Sequence, residues 1–345
     1  MGQADAVALP LALIVAGPTA SGKSALAVEL AQCLNGVVIN ADSMQVYREL
    51  RVLTARPTPA EEAAVPHALY GVRPAAEPSS AAWWRTAALD AMAAARTAGR
   101  QPILCGGTGL YLQALTQGLA DIPDPGPAAR AEARTLLADH GPAALHARLA
   151  AADPATAATL RPGDGQRLAR AWEVWRGTGR GLAAWHAGAK TPPAWSFRMM
   201  LLDPPRDMLR DAIERRFASM LTVGALQEAA ALLALRLDPA LPALRAHGMP
   251  ELSAHLRGEL TLDEAGRRAV SVTRQYTKRQ ATWFRHQPIV VPRATHTIHA
   301  RFADKTQFSE SPWRGLMNFI NAGGRGASHS APPGPLPSPL RGATT

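Results

Sequence analysis

The chain has 345 residues, 47% hydrophobic and 19% charged, enough to bury at least one sizeable core and to form about two domains, which excludes wholesale disorder. Lys+Arg 37 against Asp+Glu 27 leaves a formal charge of +10, a balance that suits a polyanionic partner such as nucleic acid and equally a soluble basic surface. Its two cysteines, Cys33 and Cys105, sit in apolar stretches without CxxC or Cys/His spacing, which speaks against a disulfide framework or structural zinc and fits a reducing compartment.

From Met1 to Leu13 there is Asp5 but no Lys or Arg, so the basic start of a signal peptide is missing, and no stretch reaches the ~18 apolar residues that span a bilayer. A cytoplasmic protein is expected, monomeric by default and with no membrane partner. Leu9 to Ala16 reads as a first strand. After a Gly-containing turn, Leu26, Leu30 and Leu34 mark one face of a helix from Ala25 to Leu34, which Asn35-Gly36 ends. Val37 to Ile39 makes a second strand. Trp83 to Ala98, Ala-rich and closed by Gly99, is a helix that feeds a third strand at Pro102 to Cys105. Asp121 to Trp195 follows, Ala- and Arg-rich, with helical stretches at Ala128 to Asp139, Ala143 to Ala151 and Gln166 to Trp175. Met199 to Leu202 is a fourth strand, so the helical block interrupts an α/β core and reads as an insertion. Met208, Leu209, Ala212, Ile213, Phe217, Met220 and Leu221 keep the 3.6 period of one amphipathic helix. The expected organisation is core over 1–120, inserted helical subdomain over 121–195, core completion with C-terminal helices over 196–323, and a disordered Gly/Pro/Ala/Ser-rich tail over 324–345.

Gly17-Pro18-Thr19-Ala20-Ser21-Gly22-Lys23-Ser24 matches GxxxxGK[S/T] between a strand and a helix, the context that motif needs. Its backbone N–H groups would cradle phosphates, Lys23 would add a point charge, and the Ser24 hydroxyl could ligate Mg²⁺. The fold class is thus a P-loop-containing parallel sheet flanked by helices. No NKxD sequence specifies guanine. Asp203, after the fourth strand, reads either as a Walker-B acid or as the N-cap of the next helix.

Asp42 follows the second strand, where an open parallel sheet places its ligand crevice, and it is either a general base or a cap for the next element, with Ser43. Thr108 ends the third strand within Gly106-Gly107-Thr108-Gly109 and presents a hydroxyl to the same crevice. Downstream, Thr261 and Glu264 form a capping box that opens a helix from Leu262 to about Phe284. On it Arg267, Arg274, Lys278 and Arg285 fall within about 40° of one another at 100° per residue. Between Arg267 and Arg285 there are six basic residues and no acid, a stripe suited to an RNA backbone and alternatively a solvated face. Of the interleaved Tyr276, Trp283 and Phe284, at least two are expected in the core. A small-molecule kinase shares the loop, the acid at the second strand and a helical lid but does not need the basic stripe; an RNA-binding switch that uses ATP to change shape would be expected to show a clear Walker-B acid pair, for which Asp203 before Pro204 is the candidate.

Taken in order, GPTASGKS, DSMQVY, TARPT, GGTGLYL, QRLARAWEV and TRQYTKRQATW resemble the bacterial tRNA dimethylallyltransferase family from about Leu13 to Trp283. The resemblance implies transfer of dimethylallyl from dimethylallyl diphosphate to the exocyclic amine of the adenosine 3′ of the anticodon, in a tRNA bound by its anticodon stem-loop. It implies that Gly17, Pro18, Thr19, Ala20, Ser21, Gly22, Lys23 and Ser24 hold the donor's diphosphate rather than a nucleotide for hydrolysis, with Mg²⁺ on Ser24 as cofactor and Arg216 beside the diphosphate. Asp42 is then the general base, Thr108 lines the channel, and Ser43, Met44 and Gln45 adjoin the tRNA. Further tRNA contacts are implied at Arg130, at Gln166, Arg167, Leu168, Ala169 and Arg170, and at Arg245, with Arg274 and Lys278 contributed by the basic stripe. The chain departs from the family pattern at Ser24 in place of Thr, Ala212 in place of Arg, Leu53 in place of Gly, and in the segment Arg245 to Pro250.

Overall fold

The computed structural model describes residues 9–188, 190–304, 306 and 310–322, so the expected tail at 324–345 lies outside the described residues. In chain order the core runs β1 (Leu11–Ala16), α1 (Lys23–Cys33), β2 (Gly36–Asn40), α2 (Pro59–Ala64), β3 (His67–Ala68), α3 (Ala81–Thr97), β4 (Gln101–Gly106) and α4 (Gly109–Gln117). Four helices come next: α5 (Gly126–Ala152), α6 (Pro154–Ala157), α7 (Gly165–Thr178) and α8 (Leu182–His186). The core resumes with β5 (Ser196–Leu202), α9 (Arg206–Thr222), α10 (Ala225–Ala234), α11 (Met249–Leu256), α12 (Leu262–His286), β6 (Thr295–Ile298) and α13 (Glu310–Asn321).

The six strands form one parallel sheet in the order β3-β2-β4-β1-β5-β6. The four central strands are those expected from apolar runs. They read as continuous runs because both faces are covered: Ala12, Ile14 and Ala16 face Trp84, Met92 and Leu112, while Leu13 and Val15 face Leu26, Leu30 and Leu316. The two edge strands were not expected. β3 has only two residues, and β6, Thr-His-Thr-Ile, has one buried position, so neither carries a periodic signal.

Helices α5 to α8 pack round a cluster of their own, built on Leu145, Leu149, Leu168, Ala171 and Trp172. Within α5 the two helical stretches expected at 128–139 and 143–151 are present and are separated at Gly141, whose φ of 74° and ψ of 174° are not helical. Thr261 caps α12 by accepting the Glu264 N–H at 3.2 Å, but Glu264 turns its carboxylate to Arg268 instead of back to the cap. A reciprocal capping box forms elsewhere, between Thr58 and Glu61 at the start of α2. Both cysteines are free, and no single helix among the described residues is long and apolar enough to cross a membrane.

Candidate active site

The carboxyl ends of β1, β2 and β4 meet at one crevice, roofed by α12 and walled by α9. The loop from Gly17 to Ser24 leaves β1 and turns into α1 through left-handed backbone at Ala20 (φ 66°) and Gly22 (φ 92°). A Cβ on Gly22 would overlap the Phe302 carbonyl oxygen, so close approach as well as φ demands glycine there. Two distant segments hold the loop. Gln280 Oε1 accepts from the Thr19 N–H at 2.8 Å and from its hydroxyl at 3.0 Å, while Gln280 Nε2 donates to the Gly107 carbonyl at 2.9 Å. The Phe302 N–H donates to the Ser21 carbonyl at 3.0 Å, and Arg301 Nε donates to the Ala20 carbonyl at 3.0 Å.

Lys23 begins α1 with Nζ 3.4 Å from the Pro18 carbonyl. Burial pulls its pKa below the ordinary amine value, and Asp42 acts against that shift. Beneath the loop, burial pushes the Cys105 thiol up to about 11. Arg216 of α9 donates to the Thr54 carbonyl at 3.2 Å, and burial likewise lowers its pKa against the pull of Asp42.

Asp42 is set by Asn40, which is fully buried at the end of β2. Asn40 Oδ1 accepts the Asp42 N–H at 2.8 Å, and Asn40 Nδ2 donates to the Asp42 and Leu69 carbonyls at 3.0 Å each. No helix starts at Asp42. Its Oδ1 accepts the Met44 N–H at 2.9 Å in an Asx turn, so the capping alternative describes one oxygen while the carboxylate still lines the cavity. Thr108 Oγ1 accepts the Ser43 N–H at 3.0 Å, tying the end of β4 to the segment after β2. Tyr276 lies beside Thr108 and Gln280 and packs against His247, with ring centroids 4.4 Å apart and planes tilted by 50°.

Two openings meet at the loop. An inner cavity of about 90 Å³ is lined by Lys23, Ser24, Asp42, Arg216, His247 and Tyr276 together with apolar Leu53, Ile213, Phe217 and Met220. An outer cleft of about 550 Å³ shares Lys23, Ser24 and Arg216 and adds Arg51, Arg56 and Arg301. The structure therefore brings together the phosphate loop, Asp42, Met44, Gln45 and Arg216, with Thr108 and Ser43 bonded alongside.

Other expected residues lie apart from this cavity. Arg130 pairs with Asp124, Arg167 with Asp164 at 3.5 Å, and Arg170 with Glu173 at 3.4 Å, all on the helical block. Gln166, Arg167 and Arg170 are exposed, but Leu168 and Ala169 turn into the block's own core, which closes their side chains to a nucleic acid. Arg245 is exposed on a 3₁₀ turn ahead of α11. The basic stripe is less free than its one-signed sequence suggests. Arg274 pairs with Glu214 of α9 and Arg285 lies 4.0 Å from Asp203, so acids come from neighbouring elements; Lys278 stays exposed. Asp203 does not cap α9, whose N-cap is Pro205, and it lines an opening with Pro18, Phe284 and Arg285 that includes neither Lys23 nor Ser24. Of the three aromatics, Phe284 is buried and Trp283 packs against the core, whereas Tyr276 belongs to the site. Asn40, Gln280 and His247 were not singled out, although Gln280 lies within TRQYTKRQATW and His247 within the segment Arg245 to Pro250.

A family model described as IPP transferase matches residues 45–287, and one described as Isopentenyl transferase matches residues 10–77. The tRNA dimethylallyltransferase of Acidiphilium cryptum (strain JF-5) is 63% identical over 310 residues, covering 90% of this chain and 94% of that protein. That of Granulibacter bethesdensis (strain ATCC BAA-1260 / CGDNIH1) is 61% identical over 312 residues, covering 90% and 98%. Among solved structures, the full-length tRNA isopentenylpyrophosphate transferase of Bacillus halodurans matches with a TM-score of 0.63 at 32% identity, over 91% of this chain and 96% of that one. A eukaryotic dimethylallyltransferase described as acting on tRNA matches with a TM-score of 0.76 at 25% identity, over 91% and 80%.

Proposed function

The chain belongs to the tRNA dimethylallyltransferase family and transfers a dimethylallyl group to tRNA, and from that premise we propose how its residues divide the work. The donor is dimethylallyl diphosphate. The acceptor is the exocyclic amine of the adenosine 3′ of the anticodon, presented by the anticodon stem-loop, and the compartment is the cytoplasm. One observation carries this reading: a carboxylate, Asp42, and two cationic groups, Lys23 and Arg216, line the same small cavity at the phosphate loop.

An adenine amine is a weak nucleophile because its lone pair is delocalised into the ring, so the electrophile must be strong, and an allylic diphosphate is. As the donor's C–O bond breaks, its electron pair leaves with the diphosphate, where loop N–H groups, Lys23 and Arg216 meet the growing charge. The new N–C bond forms at the amine, whose proton passes to Asp42, a contribution typically of about 10²–10⁴-fold. The adenine reaches Asp42 only by leaving its base stack, at a cost of a few kcal/mol. Leu53, Ile213, Phe217 and Met220 give the prenyl chain an apolar wall.

Ser24 is exposed where the two openings meet, and no cluster of three or more His, Cys, Asp or Glu forms a rival metal site among the described residues. A single hydroxyl suits Mg²⁺, which keeps most of its ligands as water and phosphate oxygens. Bound there, Mg²⁺ would neutralise charge on the diphosphate. The exposed Gln166, Arg167, Arg170, Arg245 and Lys278, with Arg130, supply the surface for the tRNA.

The test is incubation with Mg²⁺, dimethylallyl diphosphate and unmodified bulk tRNA, followed by nucleoside mass analysis. One isopentenyl unit added to adenosine is the expected result. Phosphate release from ATP without that product would replace this reading with a kinase or ATPase.

A further inference from the structure

Between α2 and the end of the Asp42 segment, the turn at residues 51–56 separates the inner cavity from the outer cleft: Leu53 and Thr54 line the first, Arg51 and Arg56 the second, and Ala55 both. Inside the turn the Ala55 N–H donates to the Val52 carbonyl and the Arg56 N–H to the Arg51 carbonyl, at 2.9 Å each, which leaves the N–H groups of residues 51–53 to be held from outside. Ala55 holds φ at 46°, a left-handed conformation that non-glycine residues adopt at a cost, and such strain persists only where surroundings impose it. The imposing group is Glu228, in the first turn of α10. Its Oε2 accepts the N–H groups of Arg51 and Val52 at 2.7 Å each, and its Oε1 accepts that of Leu53 at 2.8 Å. Three backbone donors thus converge on one carboxylate about 175 residues away in sequence, each bond strengthened by the charge.

On the other side of the turn, Gln45 Nε2 donates to the Thr54 and Ala55 carbonyls at 2.9 and 2.8 Å, and Arg216 donates to the same Thr54 carbonyl. The Thr54 oxygen therefore sets where the Arg216 guanidinium sits, and Glu228 sets where the Thr54 oxygen sits. Glu228 itself lines neither opening.

We propose that Glu228 is a positioning residue for the donor half of the site, acting through the 51–55 turn to place Arg216 against the diphosphate. This rests on the reading that Arg216 holds the diphosphate. Its amide replacement offers one acceptor oxygen in place of two, so at least one of the three N–H groups loses its partner while the side chain keeps its size. In Glu228→Gln the KM for dimethylallyl diphosphate rises about tenfold, the equivalent of one charge-assisted hydrogen bond. The KM for tRNA rises less than the donor KM, because the Asn40–Asp42 and Thr108–Ser43 contacts do not pass through this turn and Gln45 is the one tRNA-side residue bonded to it. Combined with Arg216→Lys, which raises the donor KM by itself, the two effects multiply to less than their product, since they act on one contact.

A donor KM unchanged in Glu228→Gln, an equal rise in both KM values, or full multiplication with Arg216→Lys would each overturn the proposal. Should Arg216→Lys alone leave the donor KM unchanged, the diphosphate assignment of Arg216 is the part that fails. If Glu228→Gln does not yield folded protein, Glu228→Asp is read against the same outcomes, since it keeps the charge at α10 and withdraws both oxygens by one methylene.

Discussion

Gln280 and Thr19, 261 residues apart in the chain, are joined by two hydrogen bonds through the single oxygen Gln280 Oε1, while Gln280 Nε2 holds the Gly107 carbonyl. The amide thus locks the phosphate loop to the end of β4 from above. Replacing it with leucine removes the partner of the half-buried Thr19 N–H and of the buried Gly107 carbonyl, the latter worth about 1–3 kcal/mol. Gln280→Leu is expected to lower the urea midpoint and to raise the donor KM, with tRNA binding retained. An unchanged midpoint would show that water replaces these bonds.

Asp42→Asn keeps an oxygen that can accept the Met44 N–H but cannot take a proton from the amine. Prenyl transfer should fall by about 10²–10⁴-fold while tRNA still binds in a filter or anisotropy assay. Full activity in this variant would remove Asp42 as the base.

Gly22→Ala tests the loop from below. The added methyl meets the Phe302 carbonyl oxygen at a backbone φ of 92°, so both the clash and the conformation oppose it. A stability loss on the order of 1–3 kcal/mol and loss of donor binding are expected, read by thermal melting with and without the diphosphate.

Lys278 and Arg274 should now separate. Lys278→Glu, at an exposed position, should lower the log–log salt slope of tRNA binding by about one. Arg274→Glu faces Glu214 and should cost up to about 1 kcal/mol of stability, as expected of a largely exposed pair. Equal salt slopes for wild type and Lys278→Glu would place the tRNA elsewhere.

Burial keeps the His247 imidazole below the ordinary histidine value, Arg279 shifts it the same way, and Asp42 opposes them. The folded protein therefore takes up this proton less readily than the unfolded chain. The stability this group leaves intact is full above the unfolded pKa of about 6.5 and declines as pH falls below it. His247→Gln should flatten the drop in Tm between about pH 7 and pH 5. Parallel curves for the two proteins would exclude His247 as a source of that drop.

The parts of the site legible in sequence were those whose chemistry is local. The loop from Gly17 to Ser24 carries its own turn, charge and helix start within eight consecutive residues, and Asp42 and Thr108 follow strands whose buried faces made them readable. Gln280 could not be found that way, since a glutamine in a basic helix looks like any solvated residue until α12 lies across the loop. Glu228 carried no signal either, since the three N–H groups it holds lie about 175 residues away. The basic stripe misled for the same reason: periodicity shows which residues share a face of α12, but the acids opposite Arg274 and Arg285 belong to α9 and the end of β5. Asp203 looked like a cap because Pro204 and Pro205 follow, yet the backbone stays extended to Pro205 before α9 begins.

The Arg301–Phe302 contacts with the phosphate loop bear on how the protein comes into being. During synthesis residues 17–24 emerge early, but the two groups that grip the Ala20 and Ser21 carbonyls arrive some 280 residues later, after β6 has added its edge to the sheet. Pairings this distant in sequence form late and slowly. A nascent chain halted before residue 300 therefore exposes a phosphate loop that still lacks its Arg301 and Phe302 contacts, so the full set of restraints on that loop forms only after β6 has been made.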